Sequence, residues 1–137
     1  MPQNLSGGCA CGATRYECDA DPLIMLNCHC RDCQKASGSA YAAIVVVPKA
    51  AIQIRGEPRY YKVVGQSGKA TERGFCASCG SPLTVTSERR PGVIGLQAAS
   101  LDDPSTYQPV MDVFTSSAQR WDHLDPNAQK HSHSPPM

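Results

Sequence analysis

A mainly β domain is predicted for this 137-residue chain, on three observations. Short runs of alternating or β-branched residues recur between turn signals, roughly every 8 to 12 residues. No stretch sustains apolar residues at helical spacing for long enough to make an amphipathic helix. Eight cysteines fall mostly in tight groups, which suits small sheets clamped by zinc, with only short helical turns between them. The 11 glycines, 11 prolines and few aromatic residues mean many turns and a thin core. A structural zinc, worth about 10 kcal/mol or more of folding energy, would compensate. The length fits one domain, placed at residues 1–125, with a polar, flexible tail over 126–137 that carries His131 and His133.

Taken in order, Gly7-Gly8-Cys9-Ala10-Cys11-Gly12 forms a first knuckle, its glycines letting the backbone turn tightly. Residues 13–18 predict a strand with Thr14, Tyr16 and Cys18 on one face; Cys18, lacking a close cysteine neighbour, reads as a small buried hydrophobe. An apolar strand at 23–26 leads into Cys28-His29-Cys30-Arg31-Asp32-Cys33, and residues 32–36 predict one or two helical turns stopped near Gly38. Residues 39–47 are the most apolar strand candidate and the expected middle of the core, ended by Pro48. Strands follow at 52–54, 59–64 and 69–75, with a hairpin loop at Gly65-Gln66-Ser67-Gly68. Cys76-Ala77-Ser78-Cys79-Gly80 is a second knuckle of zinc-ribbon type. Short strands are expected at 83–86, 93–97 and 111–115, with solvated Arg89 and Arg90 between the first two. Trp121, the single tryptophan, reads first as a core or lid anchor.

The central hexapeptide carries the densest coordinating chemistry. In an extended segment alternate side chains share a face, so Cys28 and Cys30 can grip one ion while His29 points away. Cys33 can return to that ion if a helix starts after Cys30. Three thiolates leave a fourth tetrahedral position undetermined, the usual arrangement of a catalytic zinc. The two glycine-flanked pairs, Cys9/Cys11 and Cys76/Cys79, would close a four-sulfur structural site. One pair with two of the triplet is also possible, but the first grouping leaves the fewest orphan ligands. Seven ionised thiols around two zinc ions take the formal charge from +1 to about −2, leaving no basic field for nucleic acid. The N-terminus carries neither a basic nor an apolar signal region, and no apolar run approaches the roughly 20 residues of a membrane span. A cytoplasmic location is therefore expected, where grouped thiols bind metal more often than they form disulfides.

Three segments together are specific. Gly8-Cys9-x-Cys11-Gly12, Cys28-His29-Cys30-x-Asp32-Cys33-x-Lys35-x-Ser37-Gly38 and Phe75-Cys76-x-x-Cys79-Gly80-Ser81-Pro82-Leu83 resemble the glutathione-dependent formaldehyde-activating enzyme family, which includes centromere protein V. The likeness extends through Leu101-Asp102-Asp103-Pro104 to Trp121. It implies a β-tent fold with two zinc ions, structural at Cys9, Cys11, Cys76 and Cys79, catalytic at Cys28, Cys30 and Cys33. It also implies a small thiol and an aldehyde as substrates, glutathione and formaldehyde in the namesake, joined as S-hydroxymethylglutathione.

The expected activity is accordingly that of a zinc-dependent carbon–sulfur lyase; the alternative is a zinc-stabilised binding module whose triplet is capped by Cys18 or a histidine. His29 is favoured as a supporting hydrogen-bond or packing residue over a general base. Arg31 and Lys35 could meet substrate carboxylates or simply balance the charge of the zinc site.

Overall fold

The structure is a computed structural model and describes residues 5–65 and 68–135. The predicted hairpin loop therefore lies partly outside the described residues, at Gln66 and Ser67. Among the described residues eleven strands make two sheets. The smaller holds β1 (Leu5–Gly8), β2 (Arg15–Cys18) and β5 (Ile52–Arg55), in the order β1-β2-β5. The larger contains β3 (Ile24–Cys28), β4 (Ala42–Pro48), β6 (Arg59–Val64), β7 (Ala70–Phe75), β8 (Pro82–Ser87), β9 (Val93–Gln97), β10 (Met111–Val113) and β11 (Gln129–Lys130). Its order is β11-β10-β3-β4-β9-β8-β7-β6, antiparallel except where β10 runs parallel to β3 and β11. This is the mainly β architecture expected, with one α-helix among the described residues, α1 (Arg31–Ser37), and four single 3-10 turns.

The continuous apolar run of β4 has a plain cause: the strand is buried on both faces, where a half-exposed strand would alternate with polar residues. Val45 and Val47, both fully buried, join Leu5, Tyr16 and Cys18 of the small sheet and Leu83, Ile94 and Leu96 of the large one. Ala42 and Ile44 face the opposite way, into a second cluster with Leu26, Cys28, Cys33 and Val113. The small sheet thus covers one face of the large sheet and α1 lies towards the other. Burial of Val45 and Val47 stabilises the domain by roughly 1.5–3 kcal/mol each.

Contact between the small sheet and the turn after β9 needs a glycine. A Cβ at Gly7 would sit 2.4 Å from the Ser100 carbonyl oxygen and 2.4 Å from the Tyr16 hydroxyl, so only glycine allows that approach. The same turn is held by Asp102, whose carboxylate takes two hydrogen bonds from Arg15, at 2.8 and 2.5 Å, and one from Ser6 at 2.8 Å. Beyond Leu124 the polar segment runs back along the sheet edge as β11. His131 N–H donates to Asp112 O at 2.9 Å and Phe114 N–H to His133 O at 3.1 Å. Composition gives no signal for this pairing because backbone groups make it. Trp121, expected as an anchor, is 66% exposed.

Candidate metal centres and active site

The two knuckles meet across the chain. After β1, Cys9 N–H donates to Thr14 O at 3.0 Å and Gly12 turns the loop at φ +82°. After β7, Cys76 N–H donates to Ser81 O at 3.0 Å and Gly80 N–H to Cys76 O at 2.9 Å. The loops interlock through Ala10 N–H, which donates to the Ser81 hydroxyl at 3.1 Å. All four sulfurs lie within 4.8 Å of one another; Cys9 and Cys76 are buried, Cys11 and Cys79 exposed. Cys9 Sγ is 3.6 Å from Cys11 Sγ, and Cys11 Sγ is 3.7 Å from Cys76 Sγ. A sulfur tetrahedron around an ion with bonds of ~2.3 Å has edges of about 3.8 Å, whereas a disulfide needs about 2.05 Å. All eight cysteines are free thiols.

Backbone donors already point at this site. Thr14 N–H reaches Cys9 Sγ at 3.2 Å and Ser78 N–H reaches Cys76 Sγ at 3.4 Å. The Ser81 hydroxyl, 3.1 Å from Cys79 Sγ, with backbone help from Ser81 and Cys11, pulls the Cys79 thiol down to about 5. Such donors favour the thiolate, the form a metal requires.

The triplet is built where β3 ends and α1 begins. Cys28 closes β3 between Ala42 of β4 and Val113 of β10. Cys30 is the N-cap of α1, with extended backbone at φ −63° and ψ 154°, and its sulfur accepts from Cys33 N–H at 3.3 Å. Gly38 stops the helix in the left-handed conformation. Cys28 and Cys30 sulfurs lie 3.5 Å apart, and all three are within 4.8 Å of one another. Among the described residues no further histidine, cysteine or carboxylate joins them. Cys18 lies in the other core cluster, its thiol directed at Ala20 O.

Hydrogen bonds from the Cys28 and Cys33 thiols, then the Cys33 backbone N–H and the charge of Arg73, hold Cys30 far below the usual thiol range. The bond it donates to Cys30, the neighbouring Cys33 and burial push Cys28 up. Three packed sulfurs therefore share one negative charge readily, and a bound cation would stabilise the rest.

His29 is fully buried and faces carboxylates, not sulfurs. Its Nε2 is 2.8 Å from Asp112 Oδ1, and its Nδ1 is 3.1 Å from Asp122 Oδ2, near enough for attraction though out of line for a hydrogen bond. Lys130 Nζ stands 3.3 Å from the other Asp112 oxygen. Gln34, also buried, donates to His29 O at 2.6 Å and Ser117 O at 3.0 Å and accepts from Arg31 and Gln119, tying the chain after β10 to α1. Removing Asp112 would leave the buried His29 Nε2 without its hydrogen-bond partner. Asp112→Ala is expected to lower the unfolding free energy by about 1–3 kcal/mol, measured by urea denaturation.

Arg31 and Lys35 are exposed on α1. The cation at the triplet is instead Arg73 of β7, only 6% exposed, whose Nη2 donates to Cys33 Sγ at 3.5 Å. Beside it is a cavity of about 220 Å³ lined by Ala36, Tyr61, Arg73, Phe75, Thr84 and Gln97, among others. No cysteine lines this cavity, which is joined to the triplet through Arg73; a larger hollow of about 710 Å³, along residues 21–25, has no such link.

The model of the family described as "Glutathione-dependent formaldehyde-activating enzyme" matches residues 4–117. The chain belongs to that family. A relative from Halomonas elongata, named "Putative glutathione-dependent formaldehyde-activating enzyme", is 29% identical over 103 residues, covering 72% of this chain. The match spans 66% of that relative, slightly under two thirds of its length. A crystal structure of a Rhodobacter sphaeroides protein shares the fold, with a TM-score of 0.58 and 22% identity over 71% of this chain and 87% of that one. The formaldehyde-activating enzyme family match takes in all seven grouped cysteines and Arg73. Among the described residues, no helix is long and apolar enough to cross a membrane.

Proposed function

We propose that this protein is a zinc-dependent carbon–sulfur lyase-type enzyme that joins, or separates, a glutathione-like thiol and a small aldehyde such as formaldehyde. The observation that carries the reading is the triplet: Cys28, Cys30 and Cys33 converge without a fourth side-chain ligand among the described residues, beside a cavity bordered by Arg73. Cys9, Cys11, Cys76 and Cys79 hold a structural zinc in the same reading. All-sulfur donor sets suit zinc, and the family membership supports the substrate pair.

Zinc at the triplet would lower the pKa of a thiol brought to it and so supply a thiolate at neutral pH. The chain's own residues provide the setting. Cys33 is fixed by α1 and by Arg73, whose guanidinium offsets the negative charge of the sulfurs. His29, held between Asp112 and Asp122, keeps β3 and α1 in position and is not directed at the reacting sulfur. In the condensation a carbon–sulfur bond forms as the carbonyl π pair moves to oxygen. That oxygen takes up one proton, matching the one lost by the thiol. The reverse reaction breaks the same bond.

Cobalt-substituted protein titrated with glutathione and simpler thiols tests this. A saturable change in the visible spectrum at one of two sites is expected. An unchanged spectrum with both metals in place would replace the enzyme by a metal-stabilised binding module.

A further inference from the structure

β7 carries a charged side chain into the interior. Arg73 has five donors, and burial at 6% exposure keeps water from most of them. Its Nη2 is used on Cys33 Sγ, whereas Nη1 is buried with no hydrogen-bond partner. An unpaired donor on a buried cation is expensive, and native folds seldom retain one without a use. Arg73 also lines the cavity of about 220 Å³, together with Tyr61, Thr84 and Gln97, residues that carry hydroxyl or amide groups. Ala36, one helical turn after Cys33, borders the same space with a small side chain.

We propose that this cavity is an anion subsite in which Arg73 Nη1 receives the carboxylate of a thiol substrate whose sulfur is directed to the Cys28/Cys30/Cys33 site. The inference rests on the thiol reading of the triplet given above. One guanidinium then touches both ends of the site, Cys33 through Nη2 and the substrate acid through Nη1, and fixes the distance between them. A carboxylate is favoured over a phosphoryl group because Arg73 is the single cation among the residues lining the cavity. A monoanion is balanced there; a dianion beside anionic sulfurs is not. Its volume suits one short acidic arm rather than a large ligand. Neutralising the sulfurs would need only a nearby positive charge and gives no role to Nη1.

The test compares 3-mercaptopropionate with 2-mercaptoethanol on cobalt-substituted protein. The acid should bind at least about 10-fold more tightly, as expected of a charge-assisted hydrogen bond. Arg73→Lys, which keeps the charge but not the planar fork, should bring the two thiols to within about 3-fold. Ala36→Leu, which fills the cavity and leaves Arg73 in place, should do the same. Equal binding by the unaltered protein, or a preference that survives both substitutions, overturns the subsite.

Propionate, which has no sulfur, supplies an independent reading: it should move the Arg73 Nε–H resonance saturably, and a static resonance also overturns the proposal. If propionate moves Arg73 while neither thiol alters the cobalt spectrum, the subsite stands and the thiol reading of the triplet falls. If both thiols bind alike and propionate has no effect, the reverse holds.

Discussion

Cys76→Ser is expected to leave the chain without a cooperative fold at ordinary temperature. Cys76 is 1% exposed and its sulfur lies 3.7 Å from Cys11 Sγ, a contact that joins the end of β7 to the loop after β1. Structural zinc contributes about 10–16 kcal/mol in small domains, comparable with or above the roughly 5–15 kcal/mol net stability of a typical fold. Serine is not a zinc ligand of comparable strength, and the thin core cannot replace what is lost. Circular dichroism and metal analysis check this. A variant that still melts in one sharp transition with two zinc ions per chain would refute a structural role for the knuckles.

Cys30→Ser should behave in the opposite way. Cys30 caps α1 by accepting from Cys33 N–H, and serine is among the best N-cap residues, so the helix start survives. Removing one of three thiols should empty the triplet, lowering zinc from two to one per chain. Condensation of thiol and aldehyde should fall by about 10³-fold or more, the scale of losing a metal-activated nucleophile. Cys30→Ala loses the cap as well and should cost about 1 kcal/mol more in stability. A Cys30→Ser protein that stays folded, with one zinc, yet turns over normally would move the chemistry elsewhere.

The cysteine groups are legible because their members lie two or three residues apart in sequence, and the fold brings together the same residues that the spacing groups. The β4 strand is legible from its unbroken apolar run, and the stop of α1 from Gly38. The surroundings of the triplet are not. Arg73 reads as one more polar residue in a strand, and only the placement of β7 brings it to Cys33, 40 residues earlier. Asp112 meets His29 across 83 residues, and Gln34 meets Ser117 across 83. Such pairs leave no periodic trace, because each partner is a single residue whose neighbour is chosen by sheet order. The parallel docking of β10 beside β3 is equally silent, since its cause lies in the backbone.

The two thiol clusters differ in how much chain must be gathered to complete them. Cys28, Cys30 and Cys33 sit within six residues, so a nascent or refolding polypeptide can capture an ion there at small entropic expense. Cys11 and Cys76 are separated by 65 positions, a far longer ring to shut before any ligation is rewarded. On the zinc reading proposed above, chain entropy favours capture of an ion by the local trio before the clamp closes, since the clamp waits for the second knuckle. Scarcity of the ion would accumulate a half-loaded species whose hexapeptide is occupied while its sheets remain unlocked.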